Sequence, residues 1–563
     1  MANSITSDDL IPIEQHFRVS AGPGAGKTHW LINHMKNVLH TSLRLGKTRK
    51  IACITYTNIA VSTILSRLGT SSNSVEVSTI HSFLYKHIVK PYAKFIANDY
   101  DLNVAKMDGH DDIILSNYSF LEELKQATGQ QRITDNSALV SAIANSRWKF
   151  NPDGSLEVKP DYPKKVGGYS IKNETYFQYK KKAWAKGFVH HDDVLFFSYQ
   201  LLTKFPFILS VLRAKFPYFF IDEFQDSNPI QVRILEMTGQ METKIGIIGD
   251  KAQSIYGFQG ADANQFQTFS LDGIVDYRMS DNRRSTNQII DCLNIIRPDF
   301  LQNKFNDING ELPCVLVGDI RTTFAKGKEL SSSDFVHTLS YKNIISNAMK
   351  KEMNSNIPSG NLLHSLSDTD SNKERQSIIS ACIKATEFAL HNRFKDALKE
   401  LEKQFKAHKN LAKKEALKHL VLLISKYKEY SNGSLLDYHA FVNTHIKPIT
   451  GLRKGGILDF YTSHTYQQVA VCVNIIEDDS LHRTIHKSKG DEFDNVILIL
   501  EKEQDLNFLF TPDLNETEDH RVFYVAMSRA KNRLFISTPT LSSANRNKLA
   551  LMPLVIHDLE VVI

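Results

Sequence analysis

The sequence predicts an α/β fold of parallel sheets, laid down in two sets of strands that are each interrupted by a mostly helical insertion. Three observations point there. Near the N-terminus short apolar runs alternate with stretches of helical spacing, the order in which a parallel sheet is built. Strand-like runs then lapse and resume twice along the chain. Finally, 563 residues exceed the roughly 250–300 at which one core stops growing, and about 150 residues per domain gives three to four domains.

Taken in order, Phe17–Ala21 (FRVSA) and Ile51–Tyr56 (IACITY) read as short buried strands, and Asn58–Leu68 has helical spacing. From about 85 to 195 the pattern turns polar and helical, as in Leu121–Thr128, and a Pro/Gly/Lys-rich segment at 151–168 predicts a surface loop or hairpin. Strands resume at Tyr218–Asp222 and Ile245–Gly249, so the intervening part reads as a domain inserted into the first sheet. A second set begins at Leu312–Val317 and returns only at Asn495–Leu500 and Leu534–Ser537. Between them, 354–374 is Ser/Asp-rich and reads as a flexible linker, and 375–430 as a long helical stretch. Residues 391–430 carry 11 Lys/Arg against 5 Asp/Glu, a surplus equal to the +6 of the whole chain. A solvated helix face and a nucleic-acid or partner surface both fit that surplus.

Composition excludes several classes. Hydrophobic content of 42% and charged content of 23% are ordinary globular values, which rules out a disordered or fibrous chain. No apolar run approaches the roughly 18 residues of a membrane span, so no membrane association is expected. The opening MANSITSDDL has no basic region followed by an apolar stretch, so no signal peptide is expected. Five scattered cysteines, never spaced as a metal or redox pair, fit a reducing cytoplasm without a disulfide framework.

Two segments carry chemistry. Ala21, Gly22, Pro23, Gly24, Ala25, Gly26, Lys27 and Thr28 follow a strand and open a helix. Small residues let backbone N–H groups close around phosphate oxygens, and the helix N-terminus adds a favourable dipole. Lys27 would neutralise the β- and γ-phosphates of ATP, and the Thr28 hydroxyl would ligate Mg²⁺. The second segment, YFFIDEFQD (218–226), is an apolar strand ending in two acids. It would deliver Asp222 to the metal and leave Glu223 to orient or deprotonate the attacking water. Together they predict a P-loop NTPase. His190, His191, Asp192 and Asp193 are consecutive, so they cannot all face one ion. Gly451–Gly456 (GLRKGG) reads as a basic turn or a phosphate contact.

With these, further segments resemble the UvrD/Rep-like helicases of superfamily 1 in family order. They are AGPGAGKT, ITYTNIAVSTILSRL (54–68), STIHSF (78–83), DEFQD (222–226), IGDKAQSIYGFQGA (248–261), DNRRS (281–285), TIHKSKGDEFDNVIL (484–498) and FYVAMSRAKNRLFI (523–536). The resemblance implies two RecA-like motor domains with ATP between them. The first, 1A, would span 1–84 and 196–270 with insertion 1B at 85–195. The second, 2A, would span 271–350 and 481–563 with a reduced, mainly helical 2B at 351–480. It further implies that Gln253 senses the γ-phosphate, that Arg284 and Arg529 are fingers, and that Glu492 contacts nucleotide. Tyr56, His81, Tyr256 and Phe258 stand where the family contacts single-stranded or partly duplex DNA, and the implied direction is 3′→5′.

Three positions depart from the pattern. Arg283 stands where the family has a tyrosine against adenine, Gln15 lies closer to the phosphate loop than the family's adenine-reading glutamine, and Gln259 replaces an arginine that links the nucleotide site to DNA. These bear on nucleotide preference and on coupling. The reduced second insertion, with too few residues after the last motif for a fused nuclease, resembles the helicase-like subunit of Gabija anti-phage systems, which works with a separate nuclease. Two functions are therefore expected as alternatives: a DNA translocase or helicase in repair or defence, or an ATP- and DNA-sensing subunit that gates a partner nuclease.

Overall fold

The computed structural model describes residues 2–107, 114–115, 118–160, 165–166, 168–353, 356–404, 409–475 and 480–559. The chain divides into two units: residues 1–284, 297–307 and 513–521 in one, and 285–296, 308–512 and 522–563 in the other.

The first unit is built on a seven-stranded, all-parallel sheet. In spatial order its strands are Asn3–Ser4, Val275–Met279, Phe17–Ala21, Lys244–Gly249, Tyr218–Ile221, Ile51–Thr55 and Val75–Thr79. A parallel sheet has both faces covered, and side chains alternate along each strand. Phe17, Ile51, Cys53, Tyr218 and Phe220 therefore pack with Trp30, Leu31 and Met35 on one face. Ala52, Ile54, Phe219, Ile221, Ile245 and Ile247 lie in the core of the other. That second core runs on without a break into Phe120, Trp148, Tyr176 and Trp184 of the 85–195 segment. The insertion thus shares its interior with the sheet. Its Pro/Gly-rich segment begins in a hairpin, Ser146–Phe150 against Leu156–Pro160, turning at Asn151–Gly154; positions 161–164 and 167 lie outside the described residues.

The first sheet continues beyond residue 270, the expected end of the first motor. Val275–Met279 pairs in register with Phe17–Ala21, although its alternation of Val275, Tyr277 and Met279 with Asp276 and Arg278 is weaker than the continuous apolar runs of the central strands.

The second unit holds a six-stranded parallel sheet in the order His482–Thr484, His337–Ser340, Phe493–Ile499, Ala530–Thr538, Cys314–Val317 and Val555–Asp558. Its insertion is helical and has a core of its own, from Leu366 to Ile475. The helical stretch expected over 375–430 runs as Lys373–Leu390, Phe394–Glu402, Lys409–Ser425 and Tyr427–Tyr430, with a break at 391–393. The expected linker contains a helix, Leu362–Thr369, capped by Asn361, while 354–355 and 405–408 lie outside the described residues. Among the described residues no single helix is long and apolar enough to cross a membrane. All five cysteines are buried and unpaired.

Candidate nucleotide and DNA site

The phosphate loop leaves the carboxyl end of Phe17–Ala21 and enters the helix Lys27–Thr41 through Gly26. Gly24 has φ +74°, and a Cβ there would meet Asn282 Oδ1 at 2.5 Å and Arg284 Cβ at 3.0 Å. Only glycine allows both that backbone and that approach. The loop is held from outside as well. Gly22 N–H donates to Met279 O (3.3 Å), Gln302 Nε2 to Pro23 O (2.7 Å), and Arg283 N–H to Gly24 O (3.0 Å). Arg284 is therefore brought beside the loop, its own N–H bonded to Asn282 Oδ1 (2.9 Å).

Asp222 and Glu223 follow the apolar strand Tyr218–Ile221 two positions away in the sheet. Asp222 is buried, and its Oδ1 accepts Glu223 N–H at 3.0 Å. Glu223 takes a left-handed φ of 52°, uncommon for a residue with a side chain and a mark of functional sites. That turn aims its carboxylate at the loop: Lys27 Nζ lies 3.9 Å from Glu223 Oε1. Mg²⁺ binds through one or two carboxylates plus phosphate oxygens and keeps several waters. One buried carboxylate, Asp222, and the Thr28 hydroxyl are a donor set of that kind, so the residues present fit the ion. No group of three or more His, Cys, Asp or Glu among the described residues could hold a metal without such help.

Behind the acids runs a buried polar network. Gln225 Nε2 donates to Glu223 Oε2, and Gln225 Oε1 accepts Asp250 N–H (3.0 Å). Gly249 makes room for this approach, since a Cβ there would meet Gln225 Oε1 at 2.4 Å. Asp250 Oδ2 accepts from Gln253 Nε2 (2.7 Å) and Arg297 Nη1 (2.9 Å), while Arg297 Nη2 lies 2.7 Å from Oδ1. The Arg297 guanidinium also covers the Phe300 ring at 4.4 Å. Sequence reasoning singled out Gln253 but missed Gln225 and Arg297. Arg297 is 47 residues from its partner and sits in no recognised segment, so only an unexplained arginine beside apolar Ile296 marked it.

Arg283, expected against a base, lies over the Phe305 ring at 3.8 Å and pairs with Asp8 at 2.7 Å. Gln15 donates to the Tyr277 hydroxyl (2.6 Å). In the second unit, Arg529 is buried, its guanidinium donating to Val525 O (3.1 Å), Asp491 O (3.4 Å) and Ser528 Oγ (3.0 Å). Glu492 is exposed, 3.9 Å from Lys531 Nζ.

Of the four side chains expected to meet DNA, Phe258 is the open one, 55% exposed. Tyr256 is only 8% exposed and stacks on Tyr56, with centroids 4.6 Å apart at 21°. Tyr56 donates its hydroxyl to Gln259 Oε1 (2.5 Å), and burial raises its pKa. His81 meets the His191 ring edge-on at 5.6 Å. Burial, and then His191, hold its pKa down to about 4, so it would meet DNA as a neutral ring. Asp193 is a structural hub, accepting from the Trp148 and Trp184 indoles (3.1 and 2.9 Å) and pairing with Lys180 (2.8 Å). Gly451 and Thr450 offer their carbonyls to the buried Arg375.

Comparison with known proteins adds to this geometry. Residues 3–273 match the UvrD/REP helicase N-terminal domain and residues 361–540 the UvrD-like helicase C-terminal domain. The chain is similar to the Gabija protein GajB of Bacillus cereus, 24% identical over 92% of this chain and 90% of that one. It is also similar to DNA helicase II of Escherichia coli, 26% identical over 49% of this chain and 38% of that one. To the ATP-dependent DNA helicase PcrA of Bacillus subtilis it is 24% identical, over 49% and 36%. The match thus takes in nearly all of the first relative and well under half of the two helicases.

Proposed function

The chain belongs to the UvrD/Rep family of ATP-dependent DNA helicases, and from that premise we propose that it hydrolyses ATP to translocate 3′→5′ along single-stranded DNA. The observation that carries this reading is the approach of Lys27 to Glu223, 3.9 Å apart across the loop and the acidic strand. Gly22, Gly24, Ala25 and Gly26 form the loop that closes around the phosphates. Lys27 balances their charge, and Arg284 and Arg529 add positive charge where negative charge develops during cleavage, a role worth about 10³–10⁵ in rate in other NTPases. Thr28 and Asp222 would hold Mg²⁺, which would supply positive charge against the phosphates. Glu223 accepts the proton of the attacking water, and Gln253, tied to Asp250, reads whether the γ-phosphate is there. Arg283 and Glu492 contact the nucleotide. Tyr56, His81, Tyr256 and Phe258 meet the strand, because stacking serves any base. The division into 1A, 1B, 2A and 2B, with the first motor carried on to residue 279, belongs to the same reading, as does a cytoplasmic site of action.

ATP turnover with and without single-stranded DNA tests it, with Lys27→Ala as the inactive control. Strand displacement should be seen on 3′-tailed and not on 5′-tailed duplexes, and should stop in Glu223→Gln. Turnover indifferent to DNA would overturn the motor.

A second reading, in which the ATP site gates a separate nuclease and the chain acts in anti-phage defence, is supported by similarity to GajB along 92% of this chain and by Gln259 at the coupling position. It predicts ATP turnover that depends on the partner, without strand displacement.

A further inference from the structure

The loop after Lys244–Gly249 has two working ends. Asp250 and Gln253 belong to the buried network at one end, and Tyr256 and Phe258 form the aromatic group at the other. The turn that carries Phe258, Gly257–Gln259, is a single turn of 3₁₀ helix closed by Gly260 at φ +90°. Phe258 is more than half exposed and its ring meets Tyr256 with centroids 6.0 Å apart, so the backbone of the turn has a large part in setting the pose of the ring.

Among the described residues three side chains bond to the turn. Tyr56 donates to the Gln259 side chain at Oε1, and Glu518 Oε1 accepts the backbone N–H of Gly257 at 3.0 Å. The third is Arg147, whose Nη2 donates to the carbonyl of Phe258 itself; the same guanidinium would lie 3.3 Å from a Cβ on Gly260. Of the three, only Arg147 comes from the 85–195 insertion. A charge-assisted bond of this kind is about twice as strong as a neutral one.

The base of that arm is rigid. Arg147 sits on the hairpin strand Ser146–Phe150, and the next residue is locked twice: Trp148 N–H donates to Asp192 Oδ2 (3.0 Å) and its indole to Asp193 Oδ1 (3.1 Å). The Trp148 ring stacks on Phe196 with centroids 3.8 Å apart.

We propose that Arg147 is a positioning residue for the DNA-stimulated reaction. From the inserted hairpin it grips the Phe258 carbonyl and sets the pose in which that ring meets a base, so the insertion governs how strongly the strand is felt at Gln253. The proposal rests on the reading of Tyr56, Tyr256 and Phe258 as a stacking platform.

The test measures ATP turnover, with and without oligo(dT), together with fluorescence of a single 2-aminopurine in that oligonucleotide, which is quenched when the base stacks. Wild type should show both stimulation and quenching. Arg147→Ala should lose about 10–100-fold of the stimulated rate, the scale of a small misplacement, and most of the quenching, while DNA-free turnover and the unfolding temperature stay put. Arg147→Lys, which keeps a charged donor, should recover most of both signals. Wild-type stimulation and quenching in Arg147→Ala would overturn the proposal. So would a fall of DNA-free turnover in both variants, since that marks a general lesion of the fold. If wild type itself shows neither stimulation nor quenching, the platform reading fails and Arg147 loses its role with it.

Discussion

Asp250 shows how much of the site depends on one buried charge. It is buried and held by Arg297, Gln253 and the Ala252 N–H. Removing one partner of a buried ion pair leaves the other charge uncompensated, at a cost of about 3–5 kcal/mol. Arg297→Ala should therefore lower unfolding stability in urea by that order and lose ATP turnover with it, because Gln253 is oriented through the same carboxylate. Glu223→Gln is the opposite case. Its backbone is set by the strand above it, so the fold and nucleotide affinity should survive. Hydrolysis should fall by about 10²–10⁴ through loss of the base, with binding followed separately by a fluorescent ATP analogue.

Among the elements, the helix Lys27–Thr41 contains a side chain at odds with its surroundings. His34 is buried among Phe17, Trp30 and Phe220, stacked on Trp30 at 5.1 Å, and neither ring nitrogen has a hydrogen-bond partner. Burial holds its pKa down to about 4. The unfolded chain, with the histidine near 6.5, binds a proton first as pH falls. The stability this residue contributes is thus whole above about 6.5 and is lost progressively toward 4. His34→Leu should remove that pH dependence and also relieve the unpaired nitrogens, by about 1–3 kcal/mol; denaturation midpoints at pH 5 and 7.5 would show it. The elements also differ in how plainly the sequence announces them. Ile51–Thr55, Tyr218–Ile221 and nearly all of Lys244–Gly249 are interior strands buried on both faces, so their apolar runs are close to continuous and readable. Asn3–Ser4 and Val75–Thr79, at the sheet edges, carry half-polar side chains and look like loops. Lys27, Asp222, Glu223 and Gln253 were legible because each lies in a segment whose local chemistry demands it. Arg297 and Arg147 were not, since their meaning lies in partners 47 and 111 residues away.

Across the molecule, charge is unevenly placed. Lys413, Lys414 and Lys418 lie on the outer side of the helix Lys409–Ser425, on either side of Leu417 and Val421, which are 52% and 60% exposed. Phosphates favour lysines but gain nothing from open leucine and valine, so this face is poorly suited to a DNA strand. Replacing the three lysines by serine should then leave the slope of log affinity for single-stranded DNA against log salt unchanged, whereas each lost phosphate contact would reduce it by about 0.7; anisotropy titrations between 50 and 200 mM salt would decide. The two insertions contrast at the same scale. The first fills the underside of its own sheet. The second encloses a separate core and is joined where Asn347 donates to the carbonyls of Val471 and Val473, both at 2.9 Å, which brings its entering and leaving strands of chain side by side. A graft that replaces 362–470 by a short flexible bridge should leave the second sheet folded, while the same surgery on the first insertion should not yield soluble protein. Descent would then act on the two differently: one insertion can change only by small steps that keep a common interior filled, and the other can be traded whole between lineages.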